Sequence, residues 1–164
     1  MSALITGVFS QSHNATNAID RLHSAGFASS EISIVTSEST SDHAFAVKTG
    51  SKVGEGAALG AGIGGGVLAL IAGLTAVGVV ASGGLGLVAA GPIVAALAGA
   101  GAGAAAGGLA GGLIGLGIPE HEAKYYDGVI EKGGVLVGVK AEGDRREIAK
   151  TVLKECGAET ISRA

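Results

Sequence analysis

Side chains that carry out chemistry are few in this sequence and lie far apart. The 164 residues include four histidines, one cysteine and no tryptophan. Cys156 falls on the apolar side of a predicted helix, which favours packing in the core over a role as a nucleophile. His121 and Glu122 are neighbours, and adjacent residues on a helix point in different directions, so they do not form a metal site together. We therefore predict no catalytic residue, no metal site and no enzymatic activity.

A glycine-rich segment from Gly60 to Gly65 matches the G-x-G-x-x-G pattern of dinucleotide-binding loops. A dinucleotide site needs a strand directly before the pattern and an acidic residue ~20 positions after it. A polar segment precedes the pattern here, and residues 79–82 contain no acid. In a chain with 31 glycines such a match arises by chance. We predict that no cofactor binds.

The overall charge and composition argue against two further classes of partner. The net charge is −3, and no cluster of lysine and arginine stands out, which argues against nucleic acid. Aromatic residues make up 3% of the chain, too few to line a large ligand pocket. We predict neither a nucleic-acid partner nor a small-molecule substrate.

The longest feature of the sequence is a run without any charged side chain between Glu55 and Glu120. Its ~60 residues are about three times the length that one bilayer crossing needs. A single straight helix of that length does not fit a chain this small. Glycines and a proline within residues 82–92 provide a place for the chain to reverse direction. We predict a helical hairpin, with helices at about 56–81 and 92–116.

Small residues recur every four positions along the second of these helices. Repeats of this kind let two helix backbones approach closely. The stripe consists of Ala95, Gly99, Gly103, Gly107, Gly111 and Gly115. A weaker stripe on the first helix includes Ala58, Gly62 and Gly66. We predict a glycine zipper, in which these residues form the contacts between helices and between copies of the chain.

On either side of the run, the hydrophobic pattern predicts one half of an α+β fold. Before the run, the pattern predicts strands at 4–9 and 32–35 with a helix between them. After the run, it predicts strands at 135–139 and 160–161 with another helix between them. Strand–helix–strand repeated twice is the ferredoxin-like βαββαβ pattern. We predict that the helical hairpin is inserted between the second and third strands of this split fold.

This interpretation divides the chain into four parts. They are the ferredoxin-like domain at 1–36 and 133–164, a polar connector at 37–55, the glycine-zipper hairpin at 56–118 and a lead-out helix at 119–132.

Two segments, one across the end of the run and one after it, resemble a known family. Residues 117–126, with the sequence GIPEHEAKYY, and residues 132–137, with the sequence KGGVLV, are similar to bacterial general stress proteins of the 17M type and to low-temperature-induced proteins. His121 stands where this pattern leads us to expect an acid. The resemblance implies an association with stress conditions, and it brings no catalytic residue with it.

Tyr125 and Tyr126 follow shortly after the charge-free run. Tyrosine is enriched where membrane proteins meet the lipid–water interface, so the pair is a candidate for interface anchors. The alternative is that Tyr126 packs on the sheet while Tyr125 is exposed. The sequence leaves both open.

The leading functional hypothesis is a non-enzymatic, stress-associated structural protein. Its hairpin would enter or lie on the membrane and self-associate, and its ferredoxin-like domain would lie in the cytoplasm. The partners would then be other copies of the chain and membrane lipid. The alternative is a soluble assembly, such as a ring, shell or filament, in which hairpins bury one another. A third class, small-ligand sensing by the sheet, depends on fold analogy alone.

Overall fold

The computed structural model describes residues 3–37, 77–82, 85–91, 93 and 102–163. In chain order its elements are β1 (Ala3–Phe9), α1 (Ser12–Ser24), a 3-10 turn (Ser29–Glu31), β2 (Ile32–Ser37), β3 (Val77–Ser82), β4 (Leu85–Ala90), α2 (Ala102–Gly115), α3 (Glu120–Glu131), β5 (Val135–Ala141), α4 (Arg145–Glu155) and β6 (Thr160–Arg163). The fold is mixed α/β, as the sequence predicts.

The strands form one sheet in the order β3-β4-β2-β5-β1-β6. Every neighbouring pair is antiparallel. The four strands predicted from the flanking sequences lie together as β2-β5-β1-β6, and β3 and β4 extend the sheet beyond β2. The strands on either side of the charge-free run therefore meet, since β2 pairs directly with β5.

The first face of the sheet is covered by α1 and α4. Apolar residues of α1 recur at spacings of three and four, which places them on one side of the helix. Side chains of β1, β2 and β5 alternate between the two faces of the sheet. The resulting core includes Ile5, Phe9, Ala15, Ala18, Ile19, Leu22, Ile34, Val137, Ala149 and Leu153, all of them buried.

The second face is covered by α2 and α3, which gives three layers with the sheet in the middle. This core includes Val8, Val35, Leu136, Ile93, Leu109, Leu113, Ile118, Ala123, Tyr126 and Ile130. Four of these residues, from Ile93 to Ile118, belong to the charge-free run. The run therefore contributes to the core of the sheet domain.

One residue of the run is fitted closely against the sheet. The backbone N–H of Ile93 donates to Ser33 Oγ at 3.1 Å. A Cβ added to Gly138 would lie 2.4 Å from Ile93 Cδ1, so the missing side chain on β5 leaves the space that Ile93 fills. Gly91 has φ +95, and a Cβ there would lie 2.3 Å from the carbonyl oxygen of Ile32. Gly91 is needed for this close approach, because a side chain there would meet the backbone of β2, whereas a side chain at Gly138 would displace the end of the Ile93 side chain.

The predicted helical hairpin is wrong where it falls on described residues at its centre. Residues 77–81, predicted as the end of the first helix, form most of β3, and the predicted bend contains β4. Ser82 pairs with Leu85, so these two strands form a hairpin of their own. Valine is β-branched and favours strands, and Val77, Val79 and Val80 stand close together here. The rest of the first predicted helix, 56–76, lies outside the described residues.

The second predicted helix is broken within its described part. Of the helix predicted for 92–116, the structure describes Ile93 and α2, and α2 contains a non-helical residue at Gly108 with φ 60° and ψ −146°. Glycine adopts this conformation without the strain that a Cβ brings. Six of the residues in the sequence AGAAAGGLAGGLIG are glycine, and each weakens the helix by ~1 kcal/mol relative to alanine.

Candidate interaction surface

The inner side of α2 packs into the second core. Leu109 and Leu113 are buried there with Ala123, Tyr126 and Ile130 of α3. Residues four apart lie on the same side of a helix. The two leucines therefore determine which side of α2 faces the sheet.

The outer side of α2 after Gly108 carries two of the small residues predicted as a contact stripe. Gly111 is half-buried and Gly115 is exposed. Ile114, between them in sequence, is 41% exposed. This side presents a shallow strip of glycine backbone and one aliphatic side chain to solvent. We call these three residues the α2 outer face.

The predicted stripe does not follow one continuous helix. Gly103 and Gly107 precede the non-helical Gly108, whereas Gly111 and Gly115 follow it. A four-residue spacing gives a straight line only while the helix is regular, so the break divides the stripe into two parts. The remaining predicted contact residues lie outside the described residues, and their role stays a prediction. They are Ala58, Gly62, Gly66, Ala95 and Gly99.

The two tyrosines of α3 occupy different environments. Tyr126 is fully buried, and its hydroxyl lies 2.7 Å from Ser162 Oγ. Tyr125 is 43% exposed, and its hydroxyl donates to Glu159 Oε2 at 2.6 Å. The placement of Tyr126 fits the alternative in which it packs on the sheet. Tyr125 keeps an exposed ring.

Polar oxygens surround the Tyr126 hydroxyl on the second face of the sheet. Thr6 is fully buried beside it, and within the described residues Glu122 Oε2 has no hydrogen-bond partner. Burial raises the pKa of Tyr126, and hydrogen bonding to Ser162 opposes that rise. The cluster is enclosed by the core, which favours a structural role over a place where substrate could enter.

The Glu159 carboxylate, next to the start of β6, forms hydrogen bonds with two other parts of the fold. It accepts hydrogen bonds from Ser10, after β1, and from Tyr125 of α3. These two bonds hold the pKa of Glu159 below its usual range. The carboxylate in turn raises the pKa of Tyr125, because the phenol donates to it. These contacts hold α3 against the end of the sheet.

Cys156 lies at the end of α4 and packs against the first core. It is partly buried, and Arg21 Nη1 lies 3.8 Å from its sulfur. Arg21 also forms an ion pair with Glu155 at 2.5 Å. The cysteine thus takes a largely structural position, as the helical pattern predicts.

The histidines described by the structure lie in separate places. His13 is 3.2 Å from Asn17, and His23 is 3.4 Å from Ser29. His121 is exposed and lies 3.8 Å from Glu122. Within the described residues, no three potential metal ligands come together. His43 and the glycine pattern at 60–65 lie outside the described residues.

Comparison of the chain with family models, curated proteins and solved structures finds no match. The resemblance to the stress-protein family therefore stays a prediction.

None of the helices in the described part of the chain has the length and apolar content that a membrane crossing requires.

Sequence reasoning missed the partners of both tyrosines and the exposure of Ile114. Ser162 is 36 residues from Tyr126, and Glu159 is 34 from Tyr125, so no local pattern connects them. Ile114 had a usable signal. It stands three residues after Gly111 and one before Gly115, which places it near their side of the helix, whereas Leu113, two residues after Gly111, lies on the opposite side.

Proposed function

We propose that this chain is a non-enzymatic structural protein that self-associates through the α2 outer face. The observation that supports this proposal is that the two sides of α2 have different environments. Its leucines are buried in the domain, whereas Gly111, Ile114 and Gly115 remain on the outside. A helix needs one apolar side to fold onto its own domain, and the second small-residue side is then available for another chain.

Close approach of two such helices is favourable for two physical reasons. Glycines bring the backbones within van der Waals distance and permit weak Cα–H···O contacts between helices. Burying Ile114 removes an exposed aliphatic side chain from water, which is worth up to ~2 kcal/mol per copy. No charge lies within residues 56–119, so no charged side chain of this segment has to be desolvated at the contact.

The proposal is tested by placing large side chains on the α2 outer face. The double variant Gly111→Leu and Gly115→Leu should reduce the size of the assembly in sedimentation velocity, because leucine holds the backbones apart. The control is Gly128→Leu in α3, where an added Cβ meets nothing within 4 Å. An assembly of unchanged size in the double variant, with circular dichroism showing that the variant is folded, would refute the proposal.

A second candidate is attachment to the cytoplasmic side of a membrane through the charge-free run. It is favoured by the exposed apolar side chains of Ile114 and Tyr125, which lie in and shortly after this run. Cells that express the full chain would be fractionated and washed with alkaline carbonate. Retention in the pellet with a need for detergent supports attachment, and release into the wash contradicts it.

We also propose that the four flanking strands form a ferredoxin-like domain. The support is their order, β2-β5-β1-β6, with α1 and α4 on one face. In this proposal the described part of the insert adds the β3–β4 hairpin and α2 to that domain. The stress association implied by the resemblance remains part of the hypothesis. Ligand sensing is the third possibility, for which a ligand-dependent thermal shift is the test.

A further inference from the structure

A groove runs along the edge of the sheet beside β6, at the opposite edge from β3. Its volume is about 560 Å³. Its lining combines apolar side chains with charged side chains of both signs. Among the residues that line it are Ile5, Ile161, Arg146, Glu147, Lys150 and Arg163.

The strand beside this groove, β6, is the last strand on its side of the described sheet. β6 pairs with β1 from Ile5↔Arg163 to Val8↔Thr160. On its other side, the part of the chain that the structure describes contains no strand. A free edge carries unpaired N–H and C=O groups that can pair with another strand. The groove is therefore suited to an extended segment that continues the sheet.

The charged side chains that line the groove favour a second copy of the chain as its partner. Glu147 and Lys150 lie on the same side of α4, three residues apart, and neither forms an ion pair within the described residues. Two copies of α4 related by a two-fold axis run antiparallel. If the axis passes between residues 147 and 150, Glu147 of each copy faces Lys150 of the other. A groove lined by one sign of charge would repel its own copy, whereas this mixed groove is complementary to itself.

A phosphate-type anion is a poorer occupant of the same place. The first backbone N–H groups of α4 already donate to carbonyl oxygens. Arg145 donates to Glu142, Arg146 to Gly143 and Glu147 to Asp144. The helix start therefore offers no ready set of free donors for an anion.

We propose that β6 pairs antiparallel with β6 of a second copy, so that two six-stranded sheets join into one. In this dimer the two α4 helices lie side by side over the junction, with two symmetry-related Glu147–Lys150 pairs. The interface is separate from the α2 outer face, and it holds whether or not that face self-associates. If both interfaces form, each copy has two isologous contacts. The assembly then closes with dihedral symmetry if the two two-fold axes intersect, and it grows as an open chain if they do not.

The test is a charge reversal followed by a charge swap in the full chain. Lys150→Glu places like charges across the axis and should raise the dissociation constant of this dimer about tenfold. The double variant Glu147→Lys with Lys150→Glu restores opposite charges and should return the constant to near the original value. Sedimentation equilibrium measures each constant, in a background that carries Gly111→Leu and Gly115→Leu to remove the other contact.

The matched control is Lys154→Glu, the same charge change on an exposed residue of α4 outside the groove lining. Circular dichroism and thermal melting check that each variant is folded. Weakening by Lys150→Glu alone, with recovery in the swap, supports the interface. Equal dissociation constants for Lys150→Glu and Lys154→Glu would overturn the proposal. A background protein that is monomeric at every concentration would also overturn it, and the groove would then have another occupant. Neither of these results depends on whether α2 self-associates.

Discussion

At the scale of single residues, the adjacent tyrosines of α3 show how one helical step separates core from surface. Tyr126 is buried against the sheet, whereas Tyr125 has 43% of its surface exposed. Each hydroxyl has a hydrogen-bond partner in the β6 region. The same deletion of one oxygen therefore has different consequences at the two positions.

Tyr126→Phe should lower the free energy of unfolding by ~1–2 kcal/mol, because Ser162 loses a buried partner. Tyr125→Phe, the matched control, should change it by less than ~0.5 kcal/mol, since water replaces the exposed hydroxyl. Urea denaturation of the three proteins measures both differences. Equal effects of the two substitutions would mean that Tyr126 is not enclosed as the structure has it.

The pH dependence at alkaline pH follows from the same burial. The pKa of Tyr126 in the folded protein is raised by burial, whereas in the unfolded chain it is about 10. Tyr126 therefore contributes stability that is complete below pH ~10 and is lost as the pH rises toward the folded pKa. In the Tyr125→Phe variant, which retains a single tyrosine, phenolate absorbance should appear above the pH at which a free tyrosine ionises. Titration at the free-tyrosine pKa would contradict the burial.

At the scale of elements, α2, near the end of the charge-free run, packs into the second core of the sheet domain. Leu113 is fully buried between α3 and the sheet, whereas its neighbour Ile114 is exposed. This pair allows the docking of α2 to be tested without changing the helix backbone.

Leu113→Ala should lower the free energy of unfolding by ~2–5 kcal/mol, through lost burial and the cavity that remains. Ile114→Ala should change it by no more than ~0.5 kcal/mol in the monomer. Chemical denaturation at a protein concentration below assembly gives both values. If Leu113→Ala is as mild as Ile114→Ala, α2 does not pack on this face.

The sequence predicted the flanking elements well, because their periodicities are distinct. The alternation at 4–9 and the three-and-four spacing of Ala15, Ala18, Ile19 and Leu22 correspond to β1 and α1 as observed. Within the charge-free run these signals are absent. A continuous apolar segment is compatible with either a helix or a buried strand, and the helix was the wrong choice for 77–81. The Gly83–Gly84 dipeptide between two valine- and leucine-rich segments is a hairpin signal that favours the strands.

The surface of α2 was predictable in part. The four-residue spacing places Gly111 and Gly115 on one side of the helix, and both lie on the α2 outer face. Their role in a contact between chains stays a prediction. The break at Gly108 was not predictable, because all the glycines in this segment are compatible with a positive φ and the pattern does not single out one of them. The groove beside β6 was also beyond the sequence, since it brings Ile5 together with Lys150, which are distant in the chain.

At the scale of the whole molecule, the charge-free run contributes to the sheet domain and also carries an apolar surface outward. Ile93, Leu109 and Leu113 are part of the second core. The α2 outer face and the free edge of β6 are then two separate surfaces on one body. In our proposal both surfaces bind other copies of the chain, which would make the protein a building unit of a larger assembly.

The most direct test of this account is the mass of the full chain in solution without detergent, measured by sedimentation velocity over a range of concentrations. The monomer has a mass of 15.7 kDa. We predict species that are multiples of this mass and that grow with concentration, because association obeys mass action. A single species of monomer mass at every concentration would contradict self-association, and with it the proposed structural function.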